Sequence, residues 1–264
     1  MPSIKDIDFR PVERPRGAAG KFYDRISPVY DWLAGPSEDR FIQEGLEVLE
    51  AEPGQHVLEL GFGTGRALNR LAEQVGERGL VCGLDLSPAM ARRAQARVET
   101  CGTAERTLIV VGDAARPPLA AESFDQVFTS FTLELFSEDD IYRVLETCST
   151  ALKPGGTLVV VSLTKKRRPG FPVRVYEWLH HRFPRVLDCR PIPVRPVLEA
   201  AGYRVERSCV KAMWGLPVEI ASARRAGTSP GPGRGETQQG DEGGTTGSSQ
   251  KGANFIPYNA RRLR

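Results

Sequence analysis

The chain has 264 residues, 40 % of them apolar, and a net charge of +3. That length can bury a real core in one large domain or two small ones, and the small net charge excludes a whole-chain bias toward nucleic acid or an anionic membrane. Five scattered cysteines and three histidines, with no CxxC pair, exclude the usual zinc spacings and point to reduced thiols, so no metal is expected.

Residues 1–20 are polar and rich in Pro, Arg and Gly, and read as a flexible arm. They contain no apolar segment of the kind a secretory signal needs. No apolar run anywhere approaches the roughly 20 residues of a membrane span, so the expected location is the cytoplasm. Residues 21–50 have helical spacing, with Phe41, Ile42, Leu46 and Leu49 on one face, and Pro53-Gly54 punctuates the chain. Strand and helix then alternate. HVLEL (56–60) is a strand, residues 65–75 a helix and LVCGLD (80–85) a second strand. Ser87-Pro88 opens a helix to about Cys101, with Ser as cap and Pro at the first helical position. TLIVVG (107–112) and FDQVFTS (124–130) are the third and fourth strands. Ser137 caps a helix over 138–152, and Pro154-Gly155-Gly156 turns into a fifth strand, TLVVVSL (157–163). Residues 171–201 read as two helical pieces split by Pro191 and Pro193. YRVERSCV (203–210) and PVEIASA (217–223) are the last two strands. Only about KAMWGL separates them, too little for a parallel crossover, so they should pair antiparallel. The pattern predicts an α/β fold: a seven-stranded, mostly parallel sheet with an antiparallel edge strand and helices on both faces. Residues 226–264 carry too little apolar surface to offset ordering entropy and read as a disordered Gly/Ser/Pro-rich tail.

The chemistry concentrates at VLELGFGTG (57–65). A buried strand ends in Gly61-Phe62-Gly63-Thr64-Gly65, where glycines allow a tight turn and let a ligand lie on the backbone. About twenty residues on, Asp85 ends the second strand, placed to accept hydrogen bonds from both ribose hydroxyls of an adenosine cofactor. Gly112-Asp113-Ala114 ends the third strand, where an acid can meet the amine of adenine. A nicotinamide site uses G-x-G-x-x-G, but here position 66 is Arg66 and the third glycine comes one residue early. Glu59 would repel a pyrophosphate and suits a cationic ligand; bracing the loop is its other reading.

The order ELGFGTG (59–65), GLDLSPAM (83–90), GDAARPPLAAESFDQV (112–127) and ALKPGGTLVVV (151–161) resembles the class I S-adenosylmethionine-dependent methyltransferases, within them the ubiquinone/menaquinone-biosynthesis methyltransferase-like group. FYDRISPVYDWL (22–33) resembles the segment before that group's core, and the likeness covers about residues 20–225. It implies one Rossmann-like domain over 21–225, with lid helices at 21–50, and S-adenosyl-L-methionine as cofactor. It further implies that Gly61, Gly63 and Gly65 cradle the cofactor, Glu59 sits under its methionine end and Tyr30 lies over that end. Asp85 would hold the ribose, Leu86 pack on adenine, and Asp113 and Ala114 hold the adenine edge. Ser130 and Phe131 would line the transfer cleft. Packing roles for Tyr30 and Leu86 stand beside these. Phe62 departs from the family pattern, in which a small residue is common, and must point away from the ligand.

The acceptor implied is a small molecule, lipid-like or quinone-like; an RNA or protein substrate, or cofactor binding without catalysis, are the alternatives. No nucleic acid partner is expected. An in-line methyl transfer needs positioning more than a protein nucleophile, so no catalytic residue is fixed. Glu134, near the cleft, and His180 or His181 are the candidates for a base, with loop capping the other reading of Glu134. KKRR (165–168) and the aromatics that follow read as a solvated loop and a core-facing helix, with peripheral membrane contact through 165–183 as the other reading. The oligomeric state is not legible.

Overall fold

The computed structural model describes residues 35–165 and 191–225. The expected arm at 1–20, Tyr30, His180, His181, all but Lys165 of the 165–183 segment, and the tail at 226–264 lie outside the described residues. In chain order the elements are α1 (Gly35–Leu49), β1 (His56–Leu60), α2 (Arg66–Val75), β2 (Leu80–Asp85), α3 (Pro88–Thr100), β3 (Thr107–Val111), β4 (Phe124–Ser130), α4 (Glu138–Ala151), β5 (Leu152–Leu163), α5 (Val194–Ala200), β6 (Tyr203–Met213) and β7 (Leu216–Arg225). Among the described residues no helix is long and apolar enough to cross a membrane.

Local chemistry sets the helix starts. The Ser87 Oγ accepts a hydrogen bond from the Met90 N–H at 3.2 Å, and Pro88 follows as the first residue of α3. Ser137 does the same for α4 through the Asp140 N–H at 3.3 Å. Glu138, Asp139 and Asp140 add negative charge at the positive end of that helix dipole.

The strands form one seven-stranded sheet in the order β3-β2-β1-β4-β5-β7-β6. β1 pairs parallel with β2 and β4, β3 with β2, and β5 with β4. The antiparallel element lies at the expected edge, with one refinement. β7 runs against both β5 and β6 and is buried between them, so β6 is outermost and largely exposed. The link between β6 and β7 is shorter than the sequence suggested: the two strands extend to a two-residue turn, Trp214-Gly215, with φ of 52° and 84°. Positive φ at both positions matches the twist of a tight hairpin. The Pro154-Gly155-Gly156 turn falls inside β5, as a register shift between Phe124–Leu152 and Gln126–Thr157.

Two apolar layers flank the sheet. On one face Phe41, Leu46 and Leu49 of α1, Leu68 and Leu71 of α2, and Ala91 and Ala94 of α3 pack on Val57, Val81, Phe128 and Val159. On the other, Ile141, Val144 and Leu145 of α4 and Val197 and Leu198 of α5 pack on Leu58, Leu60, Leu84 and Leu158. Strand alternation therefore sends Leu58 and Leu60 to one face and Val57 to the other, and places Glu59 on the side of Val57.

Candidate cofactor site at the switch point

β1 and β4 are neighbours, yet the chain leaves β1 for β2 and β3 on one side and β4 for β5 on the other. Open α/β sheets hold their ligands beyond the carboxyl ends of such strands. Gly61, Asp85, Gly112 and Phe131, each at or just past the end of its strand, lie there.

The glycine loop is seated by specific contacts. The Gly61 N–H donates to the Leu84 carbonyl and the Gly65 N–H to the Phe62 carbonyl, both at 2.8 Å. The Gly63 N–H donates to Asp85 Oδ2 at 2.8 Å, while Asp85 Oδ1 accepts from the Ser87 N–H at 2.9 Å. One carboxylate thus joins the first loop to the second. The glycines divide the work. A Cβ on Gly61 would run into the Thr132 side chain, and one on Gly65 would lie 2.8 Å from the Ala94 Cβ. Gly63 has a φ of 51° and open space where a Cβ would sit, so here the backbone itself borders free volume.

Glu59 is 1 % exposed, and its Oε2 has no hydrogen-bond partner among the described residues. Burial, reinforced by the Asp85 carboxylate, pushes it from an ordinary 4.5 up to about 8. A bracing role through backbone N–H groups is not what the described contacts show. Leu86, between Asp85 and Ser87, is 46 % exposed, an apolar side chain held out beside the loop. Asp113 is exposed and turns the chain by accepting from the Ala115 N–H at 2.9 Å; Ala114 is buried. Ser130 is buried at the end of β4. Phe131 follows with a φ of 49°, a strained conformation for a bulky residue, held by its N–H donating to the Val161 carbonyl at 2.8 Å.

Glu134 lies in a single 3-10 turn after β4 and is fully buried. It accepts from the Ser162 Oγ at 2.8 Å and the Leu163 N–H at 3.3 Å, bracing this turn to the end of β5. Burial pushes it up to about 7, against those hydrogen bonds. Phe62 does point away from the loop's open side. Its ring is buried against Gly83 of β2, which leaves room for it.

Two contributors escaped the sequence reading. Thr132 packs on Gly61 and donates to the Ser130 carbonyl at 2.8 Å, tying β4 to the glycine loop. Arg97 of α3 donates through Nε to the Thr64 carbonyl at 2.9 Å. Neither stands out from ordinary loop and helix residues. Gly83, a glycine inside a strand, did carry a signal of close approach.

Residues 57–156 match a family described as a methyltransferase domain. The demethylmenaquinone methyltransferase of Desulfitobacterium hafniense (strain Y51) is 31 % identical over 131 residues, 49 % of this chain and 50 % of that one. The ubiquinone/menaquinone biosynthesis C-methyltransferase UbiE of Paracoccus denitrificans (strain Pd 1222) is 28 % identical over 168 residues, 63 % of this chain and 64 % of that one. The match therefore spans between half and just under two thirds of those curated relatives. The magnesium protoporphyrin IX methyltransferase of Synechocystis PCC 6803, solved with bound SAH, superimposes with a TM-score of 0.65 at 17 % identity, over 80 % of this chain and 100 % of that one. The chain shares the Rossmann-like α/β fold of that solved methyltransferase, and the methyltransferase-domain match falls on the strands and loops that build this site.

Proposed function

We propose that the protein is an S-adenosylmethionine-dependent methyltransferase acting on a small quinone-like or lipid-like acceptor. The observation that carries the cofactor is Glu59, a buried carboxyl with an unpartnered oxygen next to the glycine loop. A cation there would restore its ionised form, whereas a pyrophosphate would hold it protonated and gain nothing from it. Open space beside Gly63 and the outward Leu86 suit the rest of an adenosyl ligand.

In this reading S-adenosylmethionine supplies a methyl carbon already activated by its sulfonium. The protein's part is placement and water exclusion. Glu59 holds the positive end, Asp85 takes the ribose hydroxyls, and Leu86, Asp113 and Ala114 border the adenine. Ser130 and Phe131 shape the wall past β4, where the acceptor would enter. Glu134 is the described residue best placed to hold a proton at this wall. The quinone-like acceptor rests on the names of the two relatives. The expected location is the cytoplasm, with no nucleic acid partner.

Isothermal titration with S-adenosylmethionine, S-adenosylhomocysteine and NADH tests this on the wild-type protein, Glu59→Gln and Asp85→Ala. Binding of both adenosyl ligands, weakened in each variant and absent for NADH, is the expected result. Binding of NADH alone would sink the reading. A screen of demethylated quinones then tests the acceptor, and turnover only on RNA or protein would overturn it.

A further inference from the structure

A second cleft of about 370 Å³ opens at the far end of the sheet from the glycine loop, between the C-terminal end of α1, the starts of β4 and β5 and the end of β7. Two residues that line it carry buried polar atoms without hydrogen-bond partners among the described residues: Gln126, 8 % exposed, through Oε1, and Ser222, 2 % exposed, through Oγ. Gln126 has its orientation fixed, because its Nε2 donates to the Leu49 carbonyl at 2.9 Å. Its oxygen is therefore left as a buried acceptor in want of a donor, on a residue that lines the cleft. Ser222 stands opposite a register shift in β6, between Val205 and Arg207, a kind of irregularity that re-aims side chains at sites.

Charge decides what kind of donor fits. Each cation lining the cleft already has a carboxylate: Lys153 with Asp125 at 2.8 Å, Arg207 with Glu50 at 3.5 Å and Arg224 with Glu206 at 3.1 Å. Glu52, also lining it, has no ion pair among the described residues. The C-terminal end of α1 adds the negative pole of a helix dipole. The surplus is therefore one carboxylate and two buried oxygens without partners.

We propose that this cleft binds a small organic ammonium ion. Its N–H groups would donate to Gln126 Oε1 and Ser222 Oγ while its charge faces Glu52. The site is independent of the cofactor reading, since Gln126 lies near the start of β4 and Ser130 ends it, about 13 Å apart along the strand.

Calorimetric titration of the full chain with putrescine, and with 1,4-butanediol as its uncharged analogue at constant ionic strength, tests the assignment. Putrescine should bind, the diol should not, and both Glu52→Gln and Gln126→Met should weaken putrescine about tenfold or more, a difference charge-assisted hydrogen bonds can supply. Glu52 is exposed, so its variant leaves the fold intact even if Gln126→Met does not. Equal binding of diamine and diol, affinity unchanged in Glu52→Gln, or no heat with either ligand, in which case the cleft holds only water, would each overturn the proposal. S-adenosylmethionine affinity should be unaltered in Glu52→Gln. Loss of that affinity in the wild type, with putrescine binding retained, would sink the functional reading alone.

Discussion

Glu59 combines burial with a lone unpartnered oxygen, and two measurable consequences follow. With a value near 8 it is mostly protonated at pH 7, so a cationic ligand that restores the carboxylate must expel a proton. Titrations of S-adenosylmethionine at pH 7 in buffers of different ionisation enthalpy should show release approaching one proton, vanishing at pH 9 and absent in Glu59→Gln. The second consequence is for stability. Between 4.5 and 8 the unfolded chain has lost this proton and the folded one keeps it, so the free protein loses stability as pH rises through that window. The total is on the order of a few kcal/mol for a fully buried carboxyl. Glu59→Gln should therefore melt higher than wild type at pH 8 and differ little at pH 4.5; an unchanged pH dependence of Tm would contradict the assignment. At Gly83 a Cβ would lie 2.8 Å from both Phe62 and Leu68. Gly83→Ala should destabilise the fold by about 1–3 kcal/mol through overpacking, and Gly83→Ala with Phe62→Ala should recover part of that loss in chemical denaturation. That Glu59 and Asp85 come together beside the glycine loop was legible because charged residues interrupt or end apolar strands there. Thr132 was not, because its role depends on β4 lying beside β1, which local pattern does not record.

The elements carry predictions of a different kind. Ser87 caps α3 and its own N–H holds Asp85, so one residue serves helix and site by separate atoms. Ser87→Ala removes only the side-chain contact. It should lower stability by about 1 kcal/mol and leave cofactor affinity within twofold, whereas Asp85→Ala should lose both the loop brace and the ligand. Comparable loss of affinity in the two variants would show that the cap, not the carboxylate, sets the loop. Most of these elements were legible from period and punctuation, because Ser-Pro, Pro-Gly and β-branched runs act locally. β6 and β7 were read too short, since Lys211, Ala212 and Met213 look like loop by composition. Cross-strand pairing with Val218, Pro217 and Leu216 makes them strand.

For the whole molecule, stability should be graded across the sheet. β1 and β4 are paired on both sides and covered by helices, while β6 is outermost and exposed along most of its length. Hydrogen exchange should therefore be slowest in β1, β4 and β5 and fastest in β6, with Trp214, 64 % exposed at the hairpin tip, among the first amides to exchange. Uniform protection across the sheet would contradict this gradient. The alternating pattern made a parallel sheet legible, and the short link made the final antiparallel pair legible. The insertion of β7 between β5 and β6 was not, because strand order is settled by which edges remain open once the others have paired. That order bears on how the chain is made. During synthesis β6 leaves the ribosome before the strand that attaches it, while β5 waits with an open edge. A nascent chain halted before residue 216 would hold a sheet of five strands with β6 unattached, so the closing strand is both the last described to be translated and the one that ends this exposure to chaperones and to other nascent chains.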